Sequence, residues 1–275
     1  MKTVLSIAGY DPSSGAGITA DLMVFAAHGL FGLSCITALT IQSTTGVRSV
    51  HPVAADVVGN TLECLDEDTP AGGIKIGMMG TSDNVRAIVH YLEKLKRSGR
   101  SVPVVLDPVA QSSSGAALLD EAGLEMLRHR LLGIVDWVTP NTSELEILSG
   151  RTVRESEAVP DACAALQDRV YAESGHRMGI LAKGGHLRRP DDYLLEAPGS
   201  GMWLAGEWVE TASTHGTGCA LSSAFLSELI LGRGPADAAT RAKAYLTGAL
   251  QNANSIGKGN GAMNHLWKVV KVELS

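Results

Sequence analysis

Short runs rich in β-branched residues recur along this chain, each leading into a longer amphipathic stretch, and that alternation narrows the possible folds more than any other feature. "TVLSIAG" precedes a helix expected near 16–28, "SCITALTIQ" one near 54–66, and "GIKIG" one near 83–97. "VPVVLDP", "IVDWVTP" and "GILAKGG" continue the series. Apolar strands separated by helices describe a parallel sheet covered on both faces. Residues 191–211, "DDYLLEAPGSGMWLAGEWVET", break the pattern. Two short strands around "APGSG", carrying Trp203 and Trp208, predict an antiparallel hairpin at a sheet edge. Beyond it, helices are expected near 218–231, 236–255 and 262–272.

The 275 residues are 45% hydrophobic and 19% charged, enough for one large core, so 1–275 is read as a single domain. No repeat, low-complexity tract or Pro-rich linker marks a boundary. A net charge of −6 without a basic run leaves no broad cationic surface, so nucleic acid is not expected as a partner. No apolar stretch reaches the roughly 18 residues of a membrane span. "MKTVLSIAGYD" has too short an apolar run for a signal peptide, and a cytoplasmic protein is expected. Cys35, Cys64, Cys163 and Cys219 lie far apart with no Cys-x-x-Cys pair, which indicates neither a zinc site nor a disulfide framework.

In such a sheet, ligands gather at the carboxyl ends of the strands. The polar residues following each apolar run are therefore the first candidates: Gly9-Tyr10-Asp11, Gln42, Gly77-Met78, Asp107-Pro108-Val109, Pro140-Asn141 with Glu144, and Lys183-Gly184-Gly185-His186. Singly, each has a structural reading, Asp11 and Asn141 as turn or helix caps and Glu144 as a solvated first-turn acid. Their repetition at strand ends points to a site. The turn "SIAGYDPSSGAGITAD" also fits Gly-x-Gly-x-x-Ala through Gly15, Gly17 and Ala20. A dinucleotide fold would need an acid about 20 residues later, where "SCITALTIQSTTG" carries none. The alternatives are a tight turn needing positive φ or a turn closing over a small polar substrate.

"STHGTGCALSSAFLSELILG", residues 213–232, is the sharpest signal. His-Gly-Thr-Gly-Cys runs directly into a helix whose first-turn N–H groups lack acceptors, and the glycines admit close approach of an oxyanion. A thiol at such a helix start is expected to have a depressed pKa, making Cys219 a candidate base or nucleophile; the alternative is a small apolar residue under the helix. His215 has no Ser or Asp placed by motif to form a triad and is read as structural or as acting through a neighbour.

With these segments in view, the chain resembles the hydroxymethylpyrimidine and phosphomethylpyrimidine kinases of thiamine synthesis, among the ribokinase-like kinases. The likeness runs over essentially the whole chain, through "AGYDPSSGAGITADL", "CITALTIQSTTGV", "KIGMMG", "VVLDPV", "VTPNTSELEIL", "LAKGGH", "STHGTGCALSSA" and "IGKGNGAMNHLW". It implies a three-layer αβα sandwich around a mostly parallel sheet. It also implies transfer from ATP with Mg²⁺ to the hydroxymethyl group of 4-amino-5-hydroxymethyl-2-methylpyrimidine, and then to the resulting monophosphate.

By the same resemblance, Gly9, Asp21 and Gln42 surround the pyrimidine, with Met78 and Val109 completing a flat slot. A Gln amide suits an aminopyrimidine because it answers a donor and an adjacent acceptor at once. Asn141, Lys183, Gly185, Thr214 and Lys258 fall on the ATP side, and Asp107 and Glu144 are oxygen donors for Mg²⁺. Gly216, Thr217 and Gly218 form the anion hole, with Cys219 as base where most ribokinase-like kinases have an acid. A homodimer is expected from the edge hairpin with Trp203 and Trp208. In "DPVAQSSSG", Ala110, Gln111, Ser112 and Ser113 depart from the family, whose loop carries a basic residue near the phosphate, and Tyr10 stands where the family has a small hydroxyl residue. Both changes leave open a pyridoxal kinase of the related Cys-using type. A sensor that binds pyrimidine without turnover is a third reading, against which the intact Cys219, Asp107, Glu144 and Lys183 argue.

Overall fold

The computed structural model describes residues 1–109, 118–185 and 187–269. Among them, β1 (Thr3–Tyr10), β2 (Phe31–Ser43), β3 (Gly46–Pro52), β4 (Ile74–Ile76), β5 (Val104–Leu106), β6 (Trp137–Val138), β7 (Gly179–Ala182), β8 (Asp192–Leu195) and β9 (Met202–Leu204) form one sheet. Its strand order is β3-β2-β1-β4-β5-β6-β7-β8-β9. Every pair from β2 across to β7 is parallel. The β8–β9 hairpin expected at one edge is present. The other edge is antiparallel as well, because β2 turns at Thr44-Thr45 and returns as β3. Both strands of that hairpin are largely half-exposed, so their sequence lacks the apolar run that announces the inner strands.

The strands alternate between two cores, as a period of two requires. Leu5, Ile7, Ile76, Leu106, Val138 and Ile180 pack beneath α2 (Ala55–Asp68), α3 (Ser82–Arg97), α4 (Glu121–Met126), α5 (Thr142–Ser149) and α6 (Val159–Ser174). Val4, Val105, Trp137 and Leu181 face α1 (Gly17–Ala27), α7 (Thr217–Ile230) and α8 (Pro235–Gln251). The result is a sheet covered on both faces, as the alternation predicts, and the three-layer αβα sandwich that the family resemblance implies. The helix expected at 262–272 does not form over its described part, where residues 265–269 make turns. The segment spends its polar groups elsewhere: Trp267 Nε1 donates to the Tyr245 carbonyl at 3.1 Å, and Asn264 N to Ala249 O at 3.1 Å. It is a brace across α8 rather than a continuation of it.

β1 lies between β2 and β4, so the chain leaves it in opposite directions and a crevice opens at the carboxyl ends of β1 and β4. Beneath that crevice, Asp21 of α1 and Lys75 of β4 form an ion pair at 2.9 Å with both side chains 0% exposed. Ser6 of β1 donates to Asp21 Oδ2 at 2.5 Å and Ser223 of α7 donates to Oδ1 at 2.7 Å. Four elements thus converge on one carboxylate whose oxygens are both satisfied. Lys75→Met leaves that carboxylate buried without its counter-charge, and a loss of about 3–5 kcal/mol in urea unfolding is expected. The double variant Asp21→Asn, Lys75→Met should recover part of it, and a loss below about 1 kcal/mol in the single variant would contradict the role of the pair.

Candidate active site

The turn between β1 and α1 begins with Asp11, which is 4% exposed. Its carboxylate accepts from the N–H groups of Ser13 (2.8 Å), Gly15 (3.2 Å) and Ala16 (2.9 Å), so the capping reading of this residue is correct. It also lies 2.7 Å from His215 Nε2. Burial works against the charge, yet the hydrogen bonds from His215 and Ser13 outweigh it and hold the Asp11 carboxyl below its ordinary range. The turn packs directly on the second Gly-rich turn. A Cβ at Gly216 would lie 1.8 Å from Gly15 O, and Gly216 has φ +82°, so only glycine fits there.

Gly216 caps α7, whose next N–H groups, those of Thr217, Gly218 and Cys219, have no intrahelical acceptor. No acidic side chain occupies that first turn, which leaves the positive helix end open to an anion. Cys219 sits beside it, its residue partly exposed, with the Gly17 N–H on the side that favours a thiolate. The expected depression of its pKa is not found. Burial is the largest influence and Asp107 and Asp21 add to it, so despite Lys75 and Gly17 the thiol is pushed up to about 11. A helix terminus and one lysine do not offset desolvation next to two carboxylates.

On the far side of the α7 start stand Asp107 after β5, Glu144 in α5 and Lys183 after β7. Lys183 Nζ donates to Asp107 Oδ1 at 2.5 Å and lies 3.7 Å from Glu144 Oε2. A Cβ on Gly218 would come within 3.1 Å of Lys183 Nζ and 3.6 Å of Asp107 Oδ2, so the small residue lets the helix end meet this cluster. Burial disfavours the Lys183 charge, but Asp107 and Glu144 outweigh it and raise the pKa. Glu144 moves above the usual carboxylate range, through burial first and with Asp107 adding to it against Lys183. Asn141 and Glu144 close a capping box at α5, with Asn141 Oδ1 accepting from Glu144 N and Glu144 Oε2 from Asn141 N. Glu144 is therefore not the solvated acid its helix position permits, being 7% exposed.

The remaining candidates fall into two groups. Gly9 meets Met78, whose Sδ would be 2.7 Å from a Cβ at that position, and Val109 packs with Met78, Ala38 and Leu118. Gln42 lies alongside through its amide, 3.0 Å from His215 Nε2 and 3.2 Å from Thr40 Oγ1. Asp21 does not join this wall, because it is 0% exposed and saturated by Ser6, Ser223 and Lys75. Gly185 and Thr214 are exposed at the rim. Lys258 lies in a turn whose Gly259 N donates to Thr44 Oγ1 at 3.3 Å, which sets it by the β2–β3 hairpin. Among the described residues no hydrogen bond or ion pair links it to Asp107, Glu144 or Lys183. Ala110, Gln111, Ser112, Ser113 and His186 lie outside the described residues.

Sequence reading overlooked Lys75, which was visible as the one charge inside the apolar strand "GIKIG", and it undervalued Asp11 and His215, whose partners lie far away in the chain.

An αβα sandwich whose strand ends carry an anion hole beside a carboxylate–lysine cluster is the framework of a phosphate-transferring enzyme. The family described as phosphomethylpyrimidine kinase matches residues 11–264. A hydroxymethylpyrimidine/phosphomethylpyrimidine kinase of Staphylococcus aureus is 36% identical over 267 residues, covering 96% of this chain and 93% of its own. The crystal structure of a phosphomethylpyrimidine kinase from Clostridium difficile superposes with a TM-score of 0.74 at 33% identity, over 90% of this chain and 98% of its own. A pyridoxal kinase from Staphylococcus aureus in complex with ADP gives 0.85 at 26% identity, over 98% and 95%. The chain belongs to the phosphomethylpyrimidine kinase family, and it is a kinase.

Alkylation of Cys219 by iodoacetamide, followed by peptide mass spectrometry, tests the raised thiol. Since only the thiolate reacts and burial disfavours it, the rate at this residue should climb roughly tenfold per pH unit from about pH 7.5 to about pH 9.5. A rate that bends at about pH 8.5 and levels off by about pH 9.5 would show an unperturbed thiol instead, and a lower plateau an acidic one.

Proposed function

We propose that this chain, acting as one domain, transfers the γ-phosphoryl group of ATP to the hydroxymethyl oxygen of 4-amino-5-hydroxymethyl-2-methylpyrimidine and then to the monophosphate, serving thiamine synthesis. The observation carrying this reading is the order of groups across the crevice. An amide and an apolar wall (Gln42, Gly9, Met78, Val109) stand on one side, the Gly216–Cys219 helix start in the middle, and Asp107, Glu144 and Lys183 on the other. A flat heteroaromatic alcohol fits the first and a nucleotide phosphate the last. The transferred group then lies over the first N–H groups of α7, which have no acceptor within the helix, where charge spreads in the transition state.

Asp107 and Glu144 fit a Mg²⁺ ion, since Asp107 Oδ2 is buried with no hydrogen-bond partner among the described residues and the ion accepts one or two carboxylates while keeping waters and phosphate oxygens. Among the described residues no cluster of three or more metal-binding side chains exists. Bound there, Mg²⁺ would neutralise phosphate charge. Lys183 supplies a fixed cation beside the same oxygens. Asn141, Gly185, Thr214 and Lys258 are assigned to the nucleotide side, Lys258 on the family's pattern alone.

Cys219 rests as a thiol. Two features favour its ionisation once the charge of Asp107 is taken up in the loaded site, namely Lys75 and the Gly17 N–H. Its proton then leaves to solvent and the thiolate accepts the alcohol proton. In a loose transfer that proton departs late, so a weakly populated base suffices. The second acceptor is already an anion and needs positioning more than a base.

The protein is proposed to be cytoplasmic, its four cysteines being free. No helix of the described residues is long and apolar enough to cross a membrane. Trp203 and Trp208, 40% and 65% exposed by the β8–β9 edge, support a homodimer, which light scattering at micromolar concentration checks.

Coupled ADP release with Mg-ATP tests the assignment. The pyrimidine alcohol should exceed pyridoxal in kcat/KM by roughly tenfold to a hundredfold, because pyridoxal does not present donor and acceptor in the order the Gln42 amide needs. Gln42→Leu should remove most of that preference. Cys219→Ser should lower turnover on the alcohol by roughly 10²–10⁴ while pyrimidine binding changes little. Equal or better use of pyridoxal by the unaltered chain would make pyridoxal the substrate.

A further inference from the structure

His215 reaches two residues with one ring nitrogen. Its Nε2 is 2.7 Å from Asp11 Oδ2 and 3.0 Å from Gln42 Nε2. The ring is pinned in place, since a Cβ at Gly15 would lie 2.2 Å from His215 Cδ2 and the side chain is 17% exposed. Asp11 is in turn held by three backbone N–H groups. The assembly spans 204 residues between Asp11 and His215 and 173 between Gln42 and His215, and it joins the substrate wall to the anion hole.

Proton counting leaves one consistent arrangement. A carboxylate at 2.7 Å requires the proton on His215 Nε2, because a lone pair facing Asp11 would be repelled. The Gln42 Nε2 position meets the same nitrogen at 3.0 Å, and an NH₂ does not accept from an N–H, so the amide is assigned the other way round, its carbonyl oxygen toward the ring and sharing the His215 proton with Asp11. The other end of the amide lies 3.2 Å from Thr40 Oγ1. That hydroxyl faces the Oε1 position at 3.2 Å and the Tyr10 carbonyl at 2.9 Å; its single proton goes to the shorter contact, so it accepts from the NH₂ of the reassigned amide. Amide ends are distinguished by such partners rather than by shape. Gln42 is left with one carbonyl lone pair and one N–H, each at a defined end.

We infer that His215 is a positioning residue for substrate selection: held by Asp11, it orients the Gln42 amide so that acceptor and donor stand in the order an aminopyrimidine edge requires. This rests on Gln42 being the residue that reads the pyrimidine. Without the His215 N–H the amide turns over, exchanging donor and acceptor, and the substrate's amino group and ring nitrogen then meet their own kind.

Titration calorimetry of the full chain with 4-amino-5-hydroxymethyl-2-methylpyrimidine and with pyridoxal provides the test. His215→Phe should weaken the pyrimidine about tenfold, the worth of one oriented hydrogen bond at a partly buried site, and shift pyridoxal far less. His215→Gln, whose amide donor takes nearly the place of Nε2, should return the pyrimidine to within about threefold of the unaltered chain, whereas the shorter His215→Asn should not. The decisive comparison is in the Gln42→Leu background, where His215→Phe should cost nothing further. Additive losses there, or equal weakening of both ligands, would mean that His215 only supports the loop. If Gln42→Leu alone leaves pyrimidine affinity intact, the reading of Gln42 fails and the inference with it. If Gln42→Leu weakens the pyrimidine but no His215 variant does, Gln42 reads the substrate and His215 does not orient it. Should His215→Phe fail to fold, the contrast between His215→Gln and His215→Asn decides the same point.

Discussion

The Asp21–Lys75 pair is the constraint on which the rest of this structure depends. Removing two charges from water is costly, and their mutual attraction offsets this only when the remaining hydrogen-bonding capacity is met. Here Ser6 and Ser223 meet it, which ties β1, α1, β4 and α7 to a single point below the crevice. Hydrophobic packing alone tolerates small shifts between layers, whereas a satisfied buried ion pair does not. The floor of the site is therefore set by a polar contact inside an otherwise apolar interior.

From that floor the charges alternate upward. Asp21 holds Lys75; Lys75 and Asp107 act in opposite senses on Cys219; Asp107 and Glu144 hold Lys183. Each cation is flanked by carboxylates, so no charge stands alone in a low dielectric, and the open end of the series faces the α7 terminus. Such an array suits a reaction whose difficulty lies in aligning and neutralising phosphate oxygens. It also explains the state of Cys219. Burial, Asp107 and Asp21 work together against a thiolate at this place, and the thiol settles high.

Much was legible in the residues. The alternation of β-branched runs with amphipathic stretches gave strand and helix order through the middle of the chain, because inner strands are apolar on both faces. The β2–β3 hairpin was harder, since a half-exposed edge carries a mixed pattern. The 262–272 segment read as a helix because its spacing suits one, yet Trp267 and Asn264 find better partners on α8. Among site residues, Asp21 was misplaced onto the pocket wall. A carboxylate near a Gly-rich turn looks alike in sequence whether it faces ligand or lysine.

By itself the sequence determined the class of fold, the Gly-rich turn that opens α7 and the strand-end location of Asp107, Asn141, Glu144 and Lys183, because periodicity, capping chemistry and glycine's freedom are local properties. Only the tertiary structure decided which carboxylate is buried against Lys75, that Cys219 is a thiol pushed up to about 11, and that Asp11, His215 and Gln42 form one hydrogen-bonded unit. Those outcomes depend on desolvation and on partners 54, 173 and 204 residues apart, quantities that come into being only when distant segments are brought into contact and water is excluded between them.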